Sequence, residues 1–397
     1  MPHAPTDPSP LRARLASELD DLRRRREFRS LDCPPGLDLS SNDYLGLAAD
    51  PRLREATERA VRESRRVGST ASRLLAGNSP DWEQAELDFA AFAGAGAALF
   101  FSSGYAANLG LLGALVRPGD VVFSDSANHA SLIDGMRLGG ARKVVYPHRD
   151  LSRLEEALAA ERAGSQAKLI VTESVFSMEG DRAPLAALAE LARRYDADLI
   201  LDEAHAVGVF GPDGRGLAAE LGLEREALAV VHTCGKALAS AGAFVCSDAL
   251  LKEVLVNRAR TFIFSTASPP YLAGQIRAAA ALARQANDRR AHLGELARSL
   301  RDGLRGEGFD IGASESQIVP LMAGSNDAAL AWAALLREDG FAVRAIRPPT
   351  VPEGQARLRL SVTAALGHDD IARLIHACVR ARRRMAPAER ASAHHGD

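Results

Sequence analysis

The sequence predicts an α/β protein, with a large domain built on a mostly parallel sheet and a smaller C-terminal α+β domain. Three observations carry this. Short runs rich in Leu, Ile and Val alternate with helical stretches from residue 97 to residue 232, the pattern of strands buried on both faces by crossover helices. Each run breaks off into small or polar residues, as strands do when they deliver side chains at their carboxyl ends. From Pro269-Pro270 a long helical stretch leads into a less regular alternation, the signature of a linker into a second domain.

Taken in order, leucines 11, 15, 19 and 22 recur at helical spacing among charged residues, so the stretch 11–31 reads as an amphipathic helix lying against something larger. Pro51 opens a charged helix to about 65, residues 68–77 form a small-residue loop, and a second helix covers 80–92. The strand 97–101 ends in Ser102-Ser-Gly-Tyr-Ala-Ala-Asn108 before an apolar helix to 116. Free N–H groups and the positive end of that helix favour an anion, and a phosphate is the natural guest. Strands at 121–123, 143–146, 168–173, 199–201 and 228–231 alternate with helices at 129–138, 151–162 and 184–195. The polar segments after 101, 123, 173, 202 and 232 then lie along one rim. Beyond the helical region 270–304 come strands at 317–322, 342–346 and 357–362, with helices at 327–338 and 369–383. The expected divisions are an N-terminal helix and arm (1–40), a large domain (41–285), a small domain (286–385) and a disordered tail (386–397).

With 397 residues, 47% hydrophobic and 25% charged, the chain has the composition of a soluble globular protein with a sizeable core. A net charge of −2 gives no global field for nucleic acid or an anionic membrane. No apolar run reaches the length of a membrane span, and the first ten residues lack the features of a signal peptide, so a cytoplasmic protein is expected. Cys33, Cys234, Cys246 and Cys378 are too scattered for a zinc site or a disulfide framework. Neither a dinucleotide fingerprint, a P-loop, an elbow serine nor a His-Glu-x-x-His motif occurs, and no metal is expected.

The chemistry concentrates between 198 and 242. Asp202 and His205 leave one apolar run; Thr233 and Lys236 leave the next. An acid, an imidazole, a hydroxyl and an amine at strand ends suit pyridoxal phosphate, with Lys236 as the Schiff-base lysine, Asp202 facing the pyridinium nitrogen and Thr233 near the phosphate. Taken alone, the same stretch equally suits Asp202 as a helix cap and Lys236 as a surface lysine after a turn.

With these motifs in place, the chain resembles the α-oxoamine synthases, pyridoxal-phosphate enzymes of transferase fold type I with a seven-stranded-type sheet. The resemblance runs from about 15 to 385. It rests on the segments beginning Ser41-Asn-Asp-Tyr, Ser102-Ser-Gly-Tyr, Asn128-His-Ala-Ser, Thr172-Glu-Ser-Val-Phe-Ser, Asp202-Glu-Ala-His, Thr233-Cys-Gly-Lys and Arg347-Pro-Pro-Thr. It implies that His129 stacks on the cofactor ring, that Ser177 and His205 bond near its phenolic oxygen, and that Gly104 and Tyr105 give backbone N–H groups to its phosphate. Ser265 and Thr266 would reach the phosphate of a neighbouring subunit, making a homodimer with shared sites. Arg347 would pair with the amino acid's carboxylate, assisted by Asn42, with Glu173 in support. Arg29 falls where the family has an arginine for the distal carboxylate of an acyl chain.

The implied reaction is a decarboxylating condensation, nearest to the biotin-forming members that join L-alanine to pimeloyl-CoA or a pimeloyl carrier protein. Other members, using glycine and a short acyl-CoA, making 5-aminolevulinate, or condensing a different acyl thioester with an amino acid in secondary metabolism, stay open, as does a non-catalytic scaffold of the same fold. The sequence departs from the family's usual residues at Thr70, Ser79, Ala239, Phe264 and Leu366, Ala239 standing where glycine is common.

Overall fold

The structure, a computed structural model, describes residues 9–161 and 166–392. Its strands, among the described residues, are β1 (Leu37–Asp38), β2 (Ala97–Phe101), β3 (Val121–Asp125), β4 (Arg142–Tyr146), β5 (Lys168–Glu173), β6 (Asp198–Asp202), β7 (Ala229–Thr233), β8 (Ala243–Ser247), β9 (Ile318–Gly324), β10 (Phe341–Ala342), β11 (Ala345–Ile346) and β12 (Ala356–Ser361). Seven of them form the large sheet in the order β2-β8-β7-β6-β5-β3-β4. Neighbours from β7 to β4 are parallel, whereas β8 runs against both β7 and β2.

Period-two alternation divides the sheet's side chains between two cores. Phe100, Phe123, Leu199, Leu201 and Phe244 pack on one face, and Leu99, Val122, Ile200, Val231 and Val245 on the other. On the first face Phe89 stacks on Phe244 with ring centroids 4.0 Å apart, and Trp82 stacks on Phe100 at 4.1 Å. Helix Gly104–Leu115 covers the second face, started by Ser103, whose hydroxyl accepts the Ala106 N–H.

The strand β8 was not foreseen, and it decides how Lys236 is presented. The return from β7 to β8 is closed by Cys234 N–H donating to Gly242 O at 2.8 Å, Ser240 N–H to Cys234 O at 2.8 Å and Ala239 N–H to Lys236 O at 2.8 Å. This tight path needs left-handed backbone at φ +84° for Gly242 and φ +46° for Ala239. The second is a position where an L side chain is strained.

In the C-terminal part, β11, β12 and β9 form an antiparallel sheet, while β1 pairs in parallel with β10. Residues 37–38 of the expected arm thus pair with Phe341–Ala342, within the segment expected as the small domain. The helical region expected over 270–304 consists of two helices, Pro270–Arg284 and Asn287–Gly306. The final helix, His368–Ser392, runs through the first part of the segment 386–397 expected to be disordered; 393–397 lie outside the described residues. The helix expected to end at 162 is Leu151–Ala160, and 162 also lies outside them. No helix among the described residues is long and apolar enough to cross a membrane.

One expectation fails within the single chain. The N-terminal helix Pro10–Arg24 buries none of its residues, and Leu11, Leu15 and Leu19 are 54%, 47% and 43% exposed. Among the described residues, its apolar stripe is left uncovered.

Candidate active site

The sheet brings the expected residues to one rim. Glu173 and Asp202 are register partners at the ends of β5 and β6, and Thr233 ends β7. Asp202 accepts from Asn108 Nδ2 at 2.7 Å and from Ala204 N–H at 2.9 Å, so both carboxylate oxygens are held. Asn108 also reaches Ser131 Oγ at 2.9 Å, and Ser131 Oγ lies 2.8 Å from His129 Nδ1. His129 caps the helix Ala130–Gly139 by accepting the Ser131 N–H, so its cap and its candidate site role coincide.

Lys236 Nζ lies 2.7 Å from His205 Nε2, and His205 Nδ1 lies 2.6 Å from the Tyr44 hydroxyl. The hydroxyl is 2.9 Å from Asn42 Oδ1, and Arg359 reaches both Tyr44 (3.3 Å) and Asn42 (3.0 Å). One assignment of protons satisfies every contact. Lys236 donates to Nε2, His205 Nδ1–H donates to the Tyr44 oxygen, Tyr44 donates to Asn42, and Arg359 donates to both acceptors. The chain is almost wholly buried, with Tyr44 at 0%, His205 at 4% and Arg359 at 7% exposure.

This burial sets the charges. Burial pulls the Lys236 amine down to about 8, against the opposing pull of Asp202 and Glu173. The His205 imidazole is pushed well below its ordinary value by burial, then by Lys236 and Arg359. Burial also lowers His129, partly offset by Asp202. Glu173 is raised well above the usual carboxylate range by burial and by the neighbouring Asp202 charge, and its Oε1 has no partner.

Residues expected at a phosphate lie at one helix start. Gly104 and Tyr105 start their helix, and a Cβ on Gly104 would stand 3.6 Å from Thr233 Oγ1, so the glycine keeps the hydroxyl's side of the corner open. The Tyr105 ring is 6.3 Å from the His129 ring, edge-on, which joins this corner to the rest. Helix-end N–H groups, a hydroxyl, an acidic residue and a depressed lysine fit a phosphorylated pyridine aldehyde by their chemistry, and the unpartnered Glu173 oxygen lies in the same cluster.

Beside the cluster opens a cavity of about 1110 Å³, lined among others by His129, Ser177, Glu179, Pro348, Thr350 and Arg357. His148 braces its wall, with its two nitrogens 2.9 Å from Asp125 and 2.9 Å from Asp181. Burial alone would lower this imidazole, but the two carboxylates outweigh it and raise it to about 10.

Other expected residues lie elsewhere. Ser265 and Thr266 line a small separate hollow with Arg73, Trp82 and Phe262, and Thr266 bridges to Ser72. Arg347 donates to the carbonyls of Arg26 and Phe28, while Arg29 donates to Pro348 O at 3.2 Å and Thr350 Oγ1 at 3.3 Å, at the cavity's edge. Burial and then the charge of Arg29 lower the Arg347 guanidinium, so these two cations are neighbours.

Sequence reasoning gave no role to Arg359 or Tyr44. The signal for the first was available in Arg357-Leu-Arg359, an alternation that puts two arginines on one face of a strand. Burying both is costly unless each is paired. Arg359 uses Nε for Ser177 O, Nη1 for Asn42 and Ser361, and one Nη2–H for Tyr44, leaving the other for a ligand.

Comparison with known proteins agrees with this geometry. The family described as aminotransferase class I and II matches residues 34–377. The chain is 48% identical over 342 residues to a putative 8-amino-7-oxononanoate synthase of Geobacillus kaustophilus, covering 86% of this chain and 87% of that one. It is 45% identical to the 8-amino-7-oxononanoate synthase of Herminiimonas arsenicoxydans, covering 92% and 98%. Among solved structures, a serine palmitoyltransferase from S. paucimobilis with a bound PLP–myriocin aldimine superposes with a TM-score of 0.87 at 30% identity, over 96% of this chain and 100% of that one. An 8-amino-7-oxononanoate synthase from Francisella tularensis gives 0.76 at 28%, over 88% and 99%. The strand order, the lysine on the β7–β8 return and a family match spanning most of the length lead to one conclusion: the chain belongs to the aminotransferase class I and II family, with the fold of type I pyridoxal-phosphate enzymes.

Proposed function

We propose that this protein condenses L-alanine with a pimeloyl thioester, releasing the thiol and carbon dioxide to form 8-amino-7-oxononanoate, with pyridoxal phosphate held by Lys236. The observation that carries the reading is the contact of Lys236 with His205 at 2.7 Å, close enough to Asp202 and Arg359 for both charges to act on the amine. Relatives at 44–49% identity bearing the oxononanoate synthase name support it over the serine palmitoyltransferases at about 30%.

Bound there, pyridoxal phosphate supplies an electron sink for the bond broken at the amino acid's α-carbon. Asp202 would face the pyridine nitrogen, Gly104, Tyr105 and Thr233 the phosphate, His129 the ring face, and Ser177 and His205 the phenolic edge. Lys236, with its amine lowered toward neutrality, would hold the cofactor and be placed to take the amino acid's α-proton and later to return a proton to the product. His205 accepts a hydrogen bond from the amine and holds its direction. The free Nη2–H of Arg359 and Asn42 beside it receive the amino acid's carboxylate; this gives the inner carboxylate to Arg359 and leaves Arg347 for another. We assign Arg29 and Arg347 to the distal carboxylate of the acyl donor, whose chain fills the cavity. Glu173, raised above the usual carboxylate range by burial and by the Asp202 charge, supports Asp202 from the adjacent strand end.

Ser265 and Thr266 stand apart from their own Lys236 cluster, and the leucine stripe of the N-terminal helix has no cover, so we read the active form as a homodimer with shared sites. Four free cysteines suit a reducing cytoplasmic setting.

The test is thiol release by the cofactor-loaded protein with L-alanine and pimeloyl-CoA, against glycine or serine and against short or palmitoyl thioesters, with product identified by mass. Release and product with the first pair alone support the assignment. Turnover only with another pair reassigns the substrate within the family, and absence of visible cofactor absorbance, unaltered in Lys236→Ala, overturns the site.

A further inference from the structure

Between the starts of helices Asn287–Gly306 and His368–Ser392, three metal-ligating side chains come together that the proposed chemistry does not use. His292 and Glu295 lie on helix Asn287–Gly306, three residues apart and hence on one face. His368 is the first residue of helix His368–Ser392. One ligand atom from each of the three lies within 4.8 Å of the other two, and the imidazole centroids of His292 and His368 are 5.6 Å apart at 76°.

The surroundings prepare one of these ligands. His292 Nε2–H donates to the Leu366 carbonyl at 2.9 Å, which fixes the neutral tautomer and leaves the Nδ1 lone pair free. A backbone carbonyl bonded to the remote ring nitrogen is the support that metal-binding histidines use to fix their orientation. His292 is half-buried, whereas Glu295 and His368 are exposed and their side chains can close the remaining distance. Arg289, three residues before His292 on the same helix, is engaged by Asp50 at 2.6 Å and by the Leu45 carbonyl at 3.0 Å. The positive end of the second helix is offset by Asp369 and Asp370 in its first turn, Asp370 capping Gly367 N–H at 3.0 Å.

We propose that His292, Glu295 and His368 form a site for a divalent transition-metal ion of the zinc, nickel or copper kind. Two imidazoles and a carboxylate, with a position open to solvent, suit these ions rather than magnesium or calcium, which prefer all-oxygen shells. The ion ties the start of the linker helix to the start of the last helix. It is separate from the proposed condensation and does not depend on it.

The test titrates Zn²⁺ into the metal-stripped, cofactor-loaded full chain by calorimetry and by competition with a chromogenic chelator, with melting temperature in parallel. Wild type is expected to bind one ion in the micromolar range and to melt at higher temperature with zinc. His368→Ala, at an exposed position, and Glu295→Gln are each expected to weaken binding at least tenfold and to lose the thermal response, while Cys33→Ser keeps both. Equal zinc affinity in wild type and both variants places the ion elsewhere and overturns the proposal; so does the absence of saturable binding below the millimolar range.

Discussion

Tyr44 and Arg359, 315 positions apart in sequence, meet at 3.3 Å through the tyrosine hydroxyl, and that hydroxyl lies 2.6 Å from His205. The contact ties the loop that carries Tyr44, strand β12 and the lysine's histidine into one buried hydrogen-bonded chain. Removing any member strands its neighbours, because buried donors without acceptors cost more than the bonds themselves return.

Tyr44→Phe is therefore expected to destabilise the protein by about 1–3 kcal/mol, as two buried donors lose their acceptor. It is also expected to slow turnover by loosening His205 against Lys236. Denaturant unfolding and kcat, measured on the same preparation, check both effects. Unchanged stability would show that the hydroxyl does not close the chain.

The two sets of arginines should separate by substrate. Arg359→Lys is expected to raise KM for the amino acid by roughly 10- to 100-fold, since a point charge replaces a planar fork. Arg29→Ala and Arg347→Ala should act mainly on KM for the acyl thioester. Steady-state kinetics with each substrate varied in turn decides it, and a rise in the amino acid's KM alone for Arg347→Ala would return the inner carboxylate to that residue.

His148 makes the cavity wall sensitive to alkali. Its folded value, raised to about 10, lies above the ordinary histidine value of about 6.5, so its contribution is complete below 6.5 and is lost as pH rises through 10. The stability difference between wild type and His148→Gln should accordingly shrink from pH 6 to pH 10. Comparing the two proteins cancels Lys236, whose lowered value acts in the opposite sense across the alkaline range.

Ala239 holds a left-handed conformation in the return that carries Lys236. Ala239→Gly should relieve strain of about 1–2 kcal/mol, less up to about 1 kcal/mol for the glycine's greater freedom when unfolded. A small rise in melting temperature is the expected result; a fall would place the strain elsewhere.

Shared sites predict complementation. Lys236→Ala and the Ser265→Ala/Thr266→Ala double variant should each be inactive or nearly so, while a refolded mixture regains activity through hybrid dimers holding one intact site. A mixture no more active than its parts would confine each site to one chain.

By itself the sequence determined the strand–helix alternation, the rim of polar strand ends, the lysine and aspartate of the site and the helix start suited to phosphate. These follow from contiguous residues, because periodicity, capping and short motifs are local. Tertiary structure alone decided that β8 returns antiparallel, that Arg359 and Tyr44 join His205, that Arg347 stands with Arg29, and that the N-terminal leucines remain uncovered in one chain. Each depends on which distant segments the sheet and the second domain bring together, and the cost of burying a charge or leaving apolar surface exposed is set only once those neighbours are in place.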